Sequence, residues 1–220
     1  MINKSVRVRI AALFDLDGVI VDTEELYSRF WQQIGECYFP EKKDFASAIK
    51  GSTLTKILQE HFSHDATIAE EVCRKLDEWE VKMTYDYIDG AEQFIHQLHD
   101  AGIEMAIVTS SNDKKMEQVY RLHPELKELF QQILTADDIT ASKPDPQCYL
   151  KAAEMLGVDK DDCVVFEDSL NGLHSGRNAR MKVVGLATTL PFDEVEKLAD
   201  VTIKDFRSFG LDDMKRLLNK

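Results

Sequence analysis

Near the start of this chain, two aspartates at the end of an apolar run are spaced so that both could take part in one reaction site. The run 10–14 is about as long as a buried parallel strand, and Asp15 and Asp17 follow it directly. Residues two apart in an extended chain point the same way, so both carboxylates can reach one site. Like charges that close repel each other unless a cation or a shared proton offsets them. The pattern predicts either a metal-assisted site with one carboxylate as nucleophile or an acidic strand-to-loop corner.

Further polar side chains stand at the ends of later predicted strands and in a loop before a predicted helix. They are Thr109, Ser110, Lys143, Glu167 and Asp168. Parallel strands place their carboxyl ends at one edge of a sheet, so these groups can converge. Each has a structural alternative: helix capping for the hydroxyl pair, a solvated loop charge for the lysine, and a favourable helix N-terminus for the acidic pair. Together they form a set that suits phosphoryl transfer, namely a nucleophile, hydroxyl donors, a cation and metal ligands.

The elements that must position these groups follow from the spacing of apolar residues. Six apolar runs alternate with segments of helical periodicity, and strands connected in this way pair in parallel with right-handed crossovers. The runs are 10–14, 103–108, 132–134, 163–166, 182–186 and 201–203. The predicted fold is α/β: a doubly wound, Rossmann-like parallel sheet with helices on both faces.

One long segment interrupts this alternation with helical patterns alone. Its predicted helices run from Thr23 to an end marked by Gly35 and Pro40, from Leu54 to His61 with Thr53 as a cap, and from about Thr67 to Tyr87. We predict that residues 23–87 are an inserted, all-helical cap domain that covers the site. Residues 1–22 and 88–220 would then form the α/β catalytic core.

The composition is that of a soluble globular protein and restricts the expected partners. A net charge of −13 counts against a nucleic-acid or anionic-membrane partner, because phosphate binding needs clustered lysine and arginine. A small phosphorylated metabolite is still possible, since Mg²⁺ and one or two lysines can dominate a pocket. The four cysteines show no C-x-x-C spacing, and no apolar stretch suits a signal peptide or a membrane span. We expect a cytoplasmic monomer.

Four segments resemble the four motifs of the haloacid dehalogenase-like (HAD-like) hydrolase superfamily, in order and in spacing. They are Asp15 to Thr23, Val108 to Ser111, Ser142 to Pro146, and Phe166 to Gly172. The helical insertion after the first motif is similar to the cap of the β-phosphoglucomutase and sugar-phosphatase branch. The resemblance covers essentially the whole chain and implies a HAD-like core with an inserted cap.

The resemblance also implies roles for the acidic residues. Asp15 would attack phosphorus and form an aspartyl-phosphate, and Asp17 would act as general acid and base. Mg²⁺ would be held by the Asp15 carboxylate, the Asp17 backbone carbonyl and Asp168. Glu167 would be a further ligand or lie close by, and oxygen ligands of this kind suit Mg²⁺.

The other matching residues are implied to contact the substrate. Thr109 and the Ser110 backbone N–H would bind phosphoryl oxygens, and Lys143 would bridge the nucleophile and the phosphate. Thr23 and Lys50 also match the family pattern, which indicates that the cap loop touches the substrate.

Departures from the pattern favour a phosphatase over a mutase. β-Phosphoglucomutases of this family carry a histidine where this chain has Tyr27, and an arginine where it has Leu54. That arginine grips the second phosphate of a bisphosphate intermediate, which leucine cannot do. We therefore predict a Mg²⁺-dependent phosphatase acting on a small phosphomonoester, a sugar phosphate, through an aspartyl-phosphate on Asp15.

Two alternatives remain at this point. One is a β-phosphoglucomutase. The other is a phospho-accepting signalling receiver, which the long insertion and the Asp-x-Asp spacing disfavour. The sequence assigns no role to Arg180, which stands where relatives usually have glycine or another small residue.

Overall fold

A six-stranded parallel sheet lies at the centre of the protein in this computed structural model, which describes residues 9–50 and 52–219. The strands are β1 (Ala11–Phe14), β2 (Glu104–Val108), β3 (Gln132–Leu134), β4 (Cys163–Glu167), β5 (Lys182–Leu186) and β6 (Val201–Ile203). Their order is β3-β2-β1-β4-β5-β6, with parallel pairing between all neighbours. The predicted α/β, doubly wound sheet is confirmed.

Helices cover both faces of this sheet. They are α5 (Ala91–Asp100), α6 (Asp113–Leu122), α7 (Leu126–Leu129), α8 (Gln147–Leu156), α9 (Leu170–Asn178), α10 (Phe192–Glu196) and α11 (Leu211–Leu217). Successive side chains of a strand point to opposite faces, so Ala12 and Phe14 of β1 pack against α5, α6 and α11. Ala11 and Leu13 pack on the other face, against α8 and α9. None of the helices in the described part of the chain has the length and apolar character that crossing a bilayer requires.

A cluster of aromatic rings holds the two central strands next to each other. Phe14 of β1 stacks on Phe166 of β4, with ring centroids 4.5 Å apart and an interplanar angle of 9°. Phe94 and Phe206 contact both rings. Such aromatic pairs add about 0.5–1.5 kcal/mol each beyond the burial of their area. The cluster therefore fixes the ends of β1 and β4, where the polar residues begin.

The chain between β1 and α5 is helical over residues 24–80, which we call the helical segment. It contains α1 (Glu24–Tyr38), α2 (Phe45–Ala48), α3 (Leu54–Ile57), a π-helical turn (Leu58–Phe62) and α4 (Ala66–Glu80). These helices share a hydrophobic cluster of their own, around Phe30, Trp31, Phe45, Phe62 and Val72. The domain boundaries at 22/23 and 87/88 stay predictions. Residues 1–8 and 220 of the predicted core, and Gly51 of the cap, lie outside the described residues.

One predicted helix end was wrong. The first helix ends at Tyr38, between Gly35 and Pro40, which agrees with its prediction. The helix predicted to reach Tyr87 ends at Glu80, because the chain then returns to the sheet in an extended form. There Tyr87 forms a bridge with Val21, and the N–H of Ile88 donates to the carbonyl of Ile20 at 2.9 Å. Pairing with the core outweighs the helical periodicity of this stretch.

Candidate active site

The carboxyl edge of the sheet brings the predicted polar residues together. The backbone N–H of Asp15 donates to the carbonyl of Phe166 (3.0 Å), which continues the pairing of β1 and β4 to the first acidic residue. Of the predicted site residues, those that line one pocket at this edge are Asp15, Asp17, Lys50, Thr109, Ser110 and Asp168. Lys143 and Glu167 are buried beside them, with 2% and 0% exposure.

Lys143 connects the two carboxylates at the base of the site. Its Nζ donates to Asp15 Oδ1 and to Glu167 Oε1, both at 2.6 Å, and to the carbonyl of Val108 at 3.0 Å. Burial alone would lower the pKa of Lys143, but the carboxylates of Asp15 and Glu167 outweigh burial and raise it above its usual value. All three donors of the ammonium group are therefore used, and the charge is fixed between the two acids.

Glu167 is held from several directions. Its Oε1 also accepts from the hydroxyl of Tyr149 (2.7 Å), and its Oε2 accepts from the backbone N–H groups of Asp168 (3.1 Å) and Ser169 (3.4 Å). A Cβ at Gly172 would lie 1.9 Å from the Glu167 carboxyl carbon, so only glycine leaves room for this carboxylate. The fourth motif therefore needs glycine at this position for a steric reason.

Three buried carboxylates could hold a metal ion. Oxygens of Asp15, Glu167 and Asp168 lie within 4.8 Å of one another. Burial raises the pKa of Asp15 to about 7 although Lys143 opposes the shift. Burial, with Glu24, Glu167 and Asp15 nearby, also raises the pKa of Asp168 well above its usual range. Burial disfavours the ionised form of these carboxyl groups, and a divalent cation would stabilise that form. A ligand set made only of oxygen atoms suits Mg²⁺. The residues therefore fit the predicted ion.

The turn after Asp17 brings Asp168 close to the first motif. Gly18 has φ of 73°, in the left-handed region that favours glycine. A Cβ there would lie 2.1 Å from Asp168 Oδ2, an oxygen that also accepts from the hydroxyl of Thr189. Both the backbone angle and the space next to Asp168 therefore require glycine at this position.

Asp17 is oriented by three donors. The hydroxyl of Thr23 donates to Oδ1, while the hydroxyl of Ser111 (3.0 Å) and the Nζ of Lys115 (2.5 Å) donate to Oδ2. The structure thus places the predicted substrate contact Thr23 on Asp17. Lys115 has 3% exposure, and its Nζ lies 4.3 Å from the centroid of the Tyr27 ring.

The second motif, Val108 to Ser111, leads into the start of α6. Thr109 has 2% exposure, and its Oγ1 accepts from the backbone N–H of Ser111 at 3.0 Å. Asn112 caps the helix by accepting from the backbone N–H of Lys115 at 2.9 Å. Residues 109–112 all line the pocket. Backbone N–H groups at a helix start favour anions, so a phosphoryl group is well placed here.

The helical segment supplies the opposite wall of the pocket. Its lining residues include Tyr27, Trp31, Ile49, Lys50, Leu54, Ile57, Leu76 and Glu80. Lys50 pairs with Glu24 (3.1 Å), and its carbonyl accepts from the side chain of Asn171 at 3.0 Å. Thr53 and Ser142 share a hydroxyl–hydroxyl hydrogen bond of 3.2 Å. The segment therefore contacts the core on the loop of the third motif and on α9, over the acidic cluster.

Three residues of the site were not identified from the sequence: Ser111, Lys115 and Glu80. The one available signal concerns Lys115, which stands in the first turn of α6, where the helix dipole opposes a positive charge. Glu80 is the last residue of α4, where the dipole opposes a negative charge, but its helix was predicted to continue to about Tyr87, so the sequence carried no such signal for it.

Comparison with known proteins agrees with this geometry. The sequence model of the haloacid dehalogenase-like hydrolase family matches residues 12–186. The chain belongs to this family. A probable pseudouridine-5'-phosphatase of Drosophila melanogaster is 30% identical over 194 residues, which is 84% of each chain. A β-phosphoglucomutase of Mycobacterium bovis is 28% identical and covers 89% of each chain. The predicted HAD-like family and enzyme class are confirmed.

The fold of the chain is also that of a solved HAD-like structure. A crystal structure of a HAD hydrolase, family IA, variant 3 from Entamoeba histolytica has a TM-score of 0.81 at 25% identity, covering 96% of this chain and 100% of that one. Arg180, to which the sequence assigned no role, has φ of 58° just after α9. This left-handed angle strains any residue with a Cβ, so glycine would fit this position with less strain than Arg180.

The substitution Lys143→Met should lower the free energy of unfolding, by an amount that depends on pH. The change leaves Asp15 and Glu167 buried without their cation, which typically costs about 3–5 kcal/mol. It also removes the main influence that lowers the pKa of Asp15. When the pKa of a carboxyl is raised in the folded state, the free energy of unfolding falls as pH rises. Urea unfolding should therefore show that the variant loses more of this free energy, relative to the wild type, at about pH 8 than at about pH 5.

The matched control is Lys204→Met, an exposed lysine, which should change the free energy of unfolding little at either pH. Equal losses for Lys143→Met at both pH values would contradict the assignment of Lys143 as the counter-charge of the two acids.

Proposed function

We propose that this HAD-like enzyme is a Mg²⁺-dependent phosphatase that hydrolyses a small phosphomonoester, a sugar phosphate, through an aspartyl-phosphate on Asp15. The observation that carries the proposal is a pair of carboxylates with different surroundings at one pocket. Asp15 is buried against the ammonium group of Lys143, whereas Asp17 is held apart from it by Thr23, Ser111 and Lys115. Two acids kept in distinct environments suit two distinct roles.

The metal would be held by Asp15, Asp168 and the backbone carbonyl of Asp17, with Glu167 close by. Bound there, Mg²⁺ would offset the repulsion between an anionic nucleophile and an anionic phosphate ester. The hydrogen bonds of Glu167 to Lys143 and Tyr149 support a role in holding the lysine.

The chain's own residues would carry the two half-reactions. A carboxylate oxygen of Asp15 attacks phosphorus, the bond from phosphorus to the alcohol oxygen breaks, and Asp17 gives that oxygen a proton. Asp17 then takes a proton from water, the water oxygen attacks phosphorus, and the bond to Asp15 breaks. Thr109 and the Ser110 N–H would hold the phosphoryl oxygens throughout, and the positive charge of Lys143 beside Asp15 would offset their negative charge.

The helical segment would act as the cap domain, with its limits at residues 23 and 87. Its contacts with the core lie next to the pocket, through Lys50 with Asn171 and Thr53 with Ser142. A lid attached in this way can exclude water while phosphorus is attacked and open to release the product.

The pocket favours transfer to water over a mutase reaction. A mutase must bind a second phosphate under the cap, and the described residues that line the pocket include no arginine. The two lysines that line the pocket, among the described residues, are already paired, Lys50 with Glu24 and Lys115 with Asp17. Leu54 lines the wall where a β-phosphoglucomutase would place its arginine, and it offers no charge.

A panel of sugar phosphates tests this choice. With Mg²⁺ present we expect release of inorganic phosphate and no conversion between 1-phosphates and 6-phosphates. Asp15→Asn should abolish release, because an amide is a poor nucleophile, whereas Asp212→Asn, at an exposed aspartate outside the four motifs, should retain it. Conversion without phosphate release would overturn the phosphatase proposal in favour of the mutase. Activity retained by Asp15→Asn would contradict its role as nucleophile.

Mg²⁺ should raise the melting temperature, and more so at higher pH. An ion at about 100 times its Kd stabilises a fold by about 2.7 kcal/mol, or several degrees. Burial raises the pKa of Asp15 from 3.8 to about 7, so the folded metal-free chain keeps a proton that the unfolded chain has lost. The stability due to this carboxyl falls as pH rises through about 7, and below that pH Mg²⁺ must displace the proton.

The shift in melting temperature should therefore be larger at about pH 8 than at about pH 6. Asp168→Asn should reduce it strongly, while the exposed Asp212→Asn should leave it unchanged. A shift that Asp168→Asn does not alter would rule out this residue as a ligand.

A further inference from the structure

Glu80 is a buried acid that the proposed phosphatase chemistry does not use. It has 7% exposure and lines the pocket from the helical segment. It is also the last residue of α4, where the helix dipole disfavours a negative charge. Burial raises the pKa of its carboxyl, although Lys115 and the Tyr27 hydroxyl oppose the shift. An acid placed against both burial and the dipole must be retained for another reason, and such departures from local preference concentrate at functional sites.

The contacts of Glu80 hold it in one orientation. The hydroxyl of Tyr27 donates to its Oε1 at 2.8 Å, and the hydroxyl of Tyr85 donates to its backbone carbonyl at 3.1 Å. Lys115, which binds Asp17, lies over the same Tyr27 ring and attracts the Glu80 carboxylate. Among the described residues, no hydrogen bond reaches Oε2 of Glu80. One oxygen of an otherwise fixed carboxylate is therefore open to a donor in the pocket.

The same wall also presents a group of apolar side chains. Trp31, Ile49, Leu54, Ile57 and Leu76 line the same pocket from the helical segment. The Tyr27–Glu80–Lys115 group thus forms a polar edge beside an apolar surface. A compound with a carbon skeleton and hydroxyl groups matches both parts.

The charges around this edge select the kind of group that can bind Glu80. A second anion would face the carboxylates of Asp17, Glu24 and Glu80, with Lys50 and Lys115 already paired. A neutral donor does not meet this repulsion, and a hydroxyl can donate a hydrogen bond to Oε2.

We infer that Glu80, oriented by Tyr27, accepts a hydrogen bond from a hydroxyl group on the alcohol part of the substrate and so determines specificity. The inference rests on the proposed phosphatase function and names the substrate group that Glu80 recognises, a hydroxyl on the alcohol part of the ester. Alkyl esters of similar size that lack the hydroxyl leave the Glu80 carboxylate without its donor, and a buried site of this kind discriminates strongly against them.

Matched substrate pairs test the inference. The pairs are glycerol 1-phosphate with n-propyl phosphate, and D-glucose 6-phosphate with 2-deoxy-D-glucose 6-phosphate. The measured quantity is the ratio of kcat/KM within each pair. The wild type should prefer the hydroxylated member of at least one pair by about 10-fold or more. Glu80→Met, which removes the acceptor, should reduce that preference to about 2-fold or less.

Glu80→Gln keeps the shape of the side chain and a neutral acceptor, so an intermediate preference is expected. If Glu80→Met does not fold, this variant tests whether the Glu80 carboxylate causes the preference. Glu78→Gln changes an exposed acid on the same helix and should leave the preference and the rate at their wild-type values.

The outcomes separate the two proposals. Phosphate release with no preference in either pair, or a preference that both Glu80 variants retain in full, would overturn the role of Glu80 and leave the phosphatase function standing. No phosphate release from any ester would overturn the phosphatase function, and the inference with it.

Discussion

The ammonium group of Lys143, placed between Asp15 and Glu167, is the contact on which the rest of the site depends. It joins the loop of the third motif to the ends of β1 and β4, at 2.6 Å from each carboxylate. Taking these charges out of water is costly, and the cost is offset because each partner is also hydrogen-bonded. Tyr149 and two backbone N–H groups satisfy Glu167, and the Val108 carbonyl satisfies the lysine. With this contact in place, Asp15 is fixed at the sheet edge.

The two sides of the pocket are stabilised by different interactions. On the core side, aromatic packing of Phe14 and Phe166 and parallel pairing hold the acids on a rigid sheet. On the other side, the helical segment has its own hydrophobic cluster. It meets the core through packing of Leu26, Tyr27 and Trp79 and through polar contacts such as Thr53 with Ser142. We propose that this segment is the lid of the site, and a rigid site beneath a lid suits an enzyme that must exclude water and then release its product.

The parts of the fold and site that depend on local pattern were predictable from the sequence. Apolar runs ending in acids or hydroxyls place Asp15, Thr109 and Glu167 at one sheet edge, because strand periodicity and parallel pairing leave few alternatives. Lys115 and Glu80 were not predictable, since only the approach of α6 and α4 brings them to one pocket. The end of α4 was misplaced for a related reason: pairing with β1's loop, not helix propensity, determines the path of residues 83–88.

We propose that Asp15 becomes covalently phosphorylated during turnover. Rapid acid quenching of the enzyme with Mg²⁺ and a sugar phosphate that it hydrolyses, followed by proteolysis and mass spectrometry, measures this directly. We expect one phosphoryl group on the peptide that contains Asp15, formed and lost at rates consistent with turnover. Continued phosphate release with no phosphoryl group on Asp15, or with the group on another residue, would contradict it.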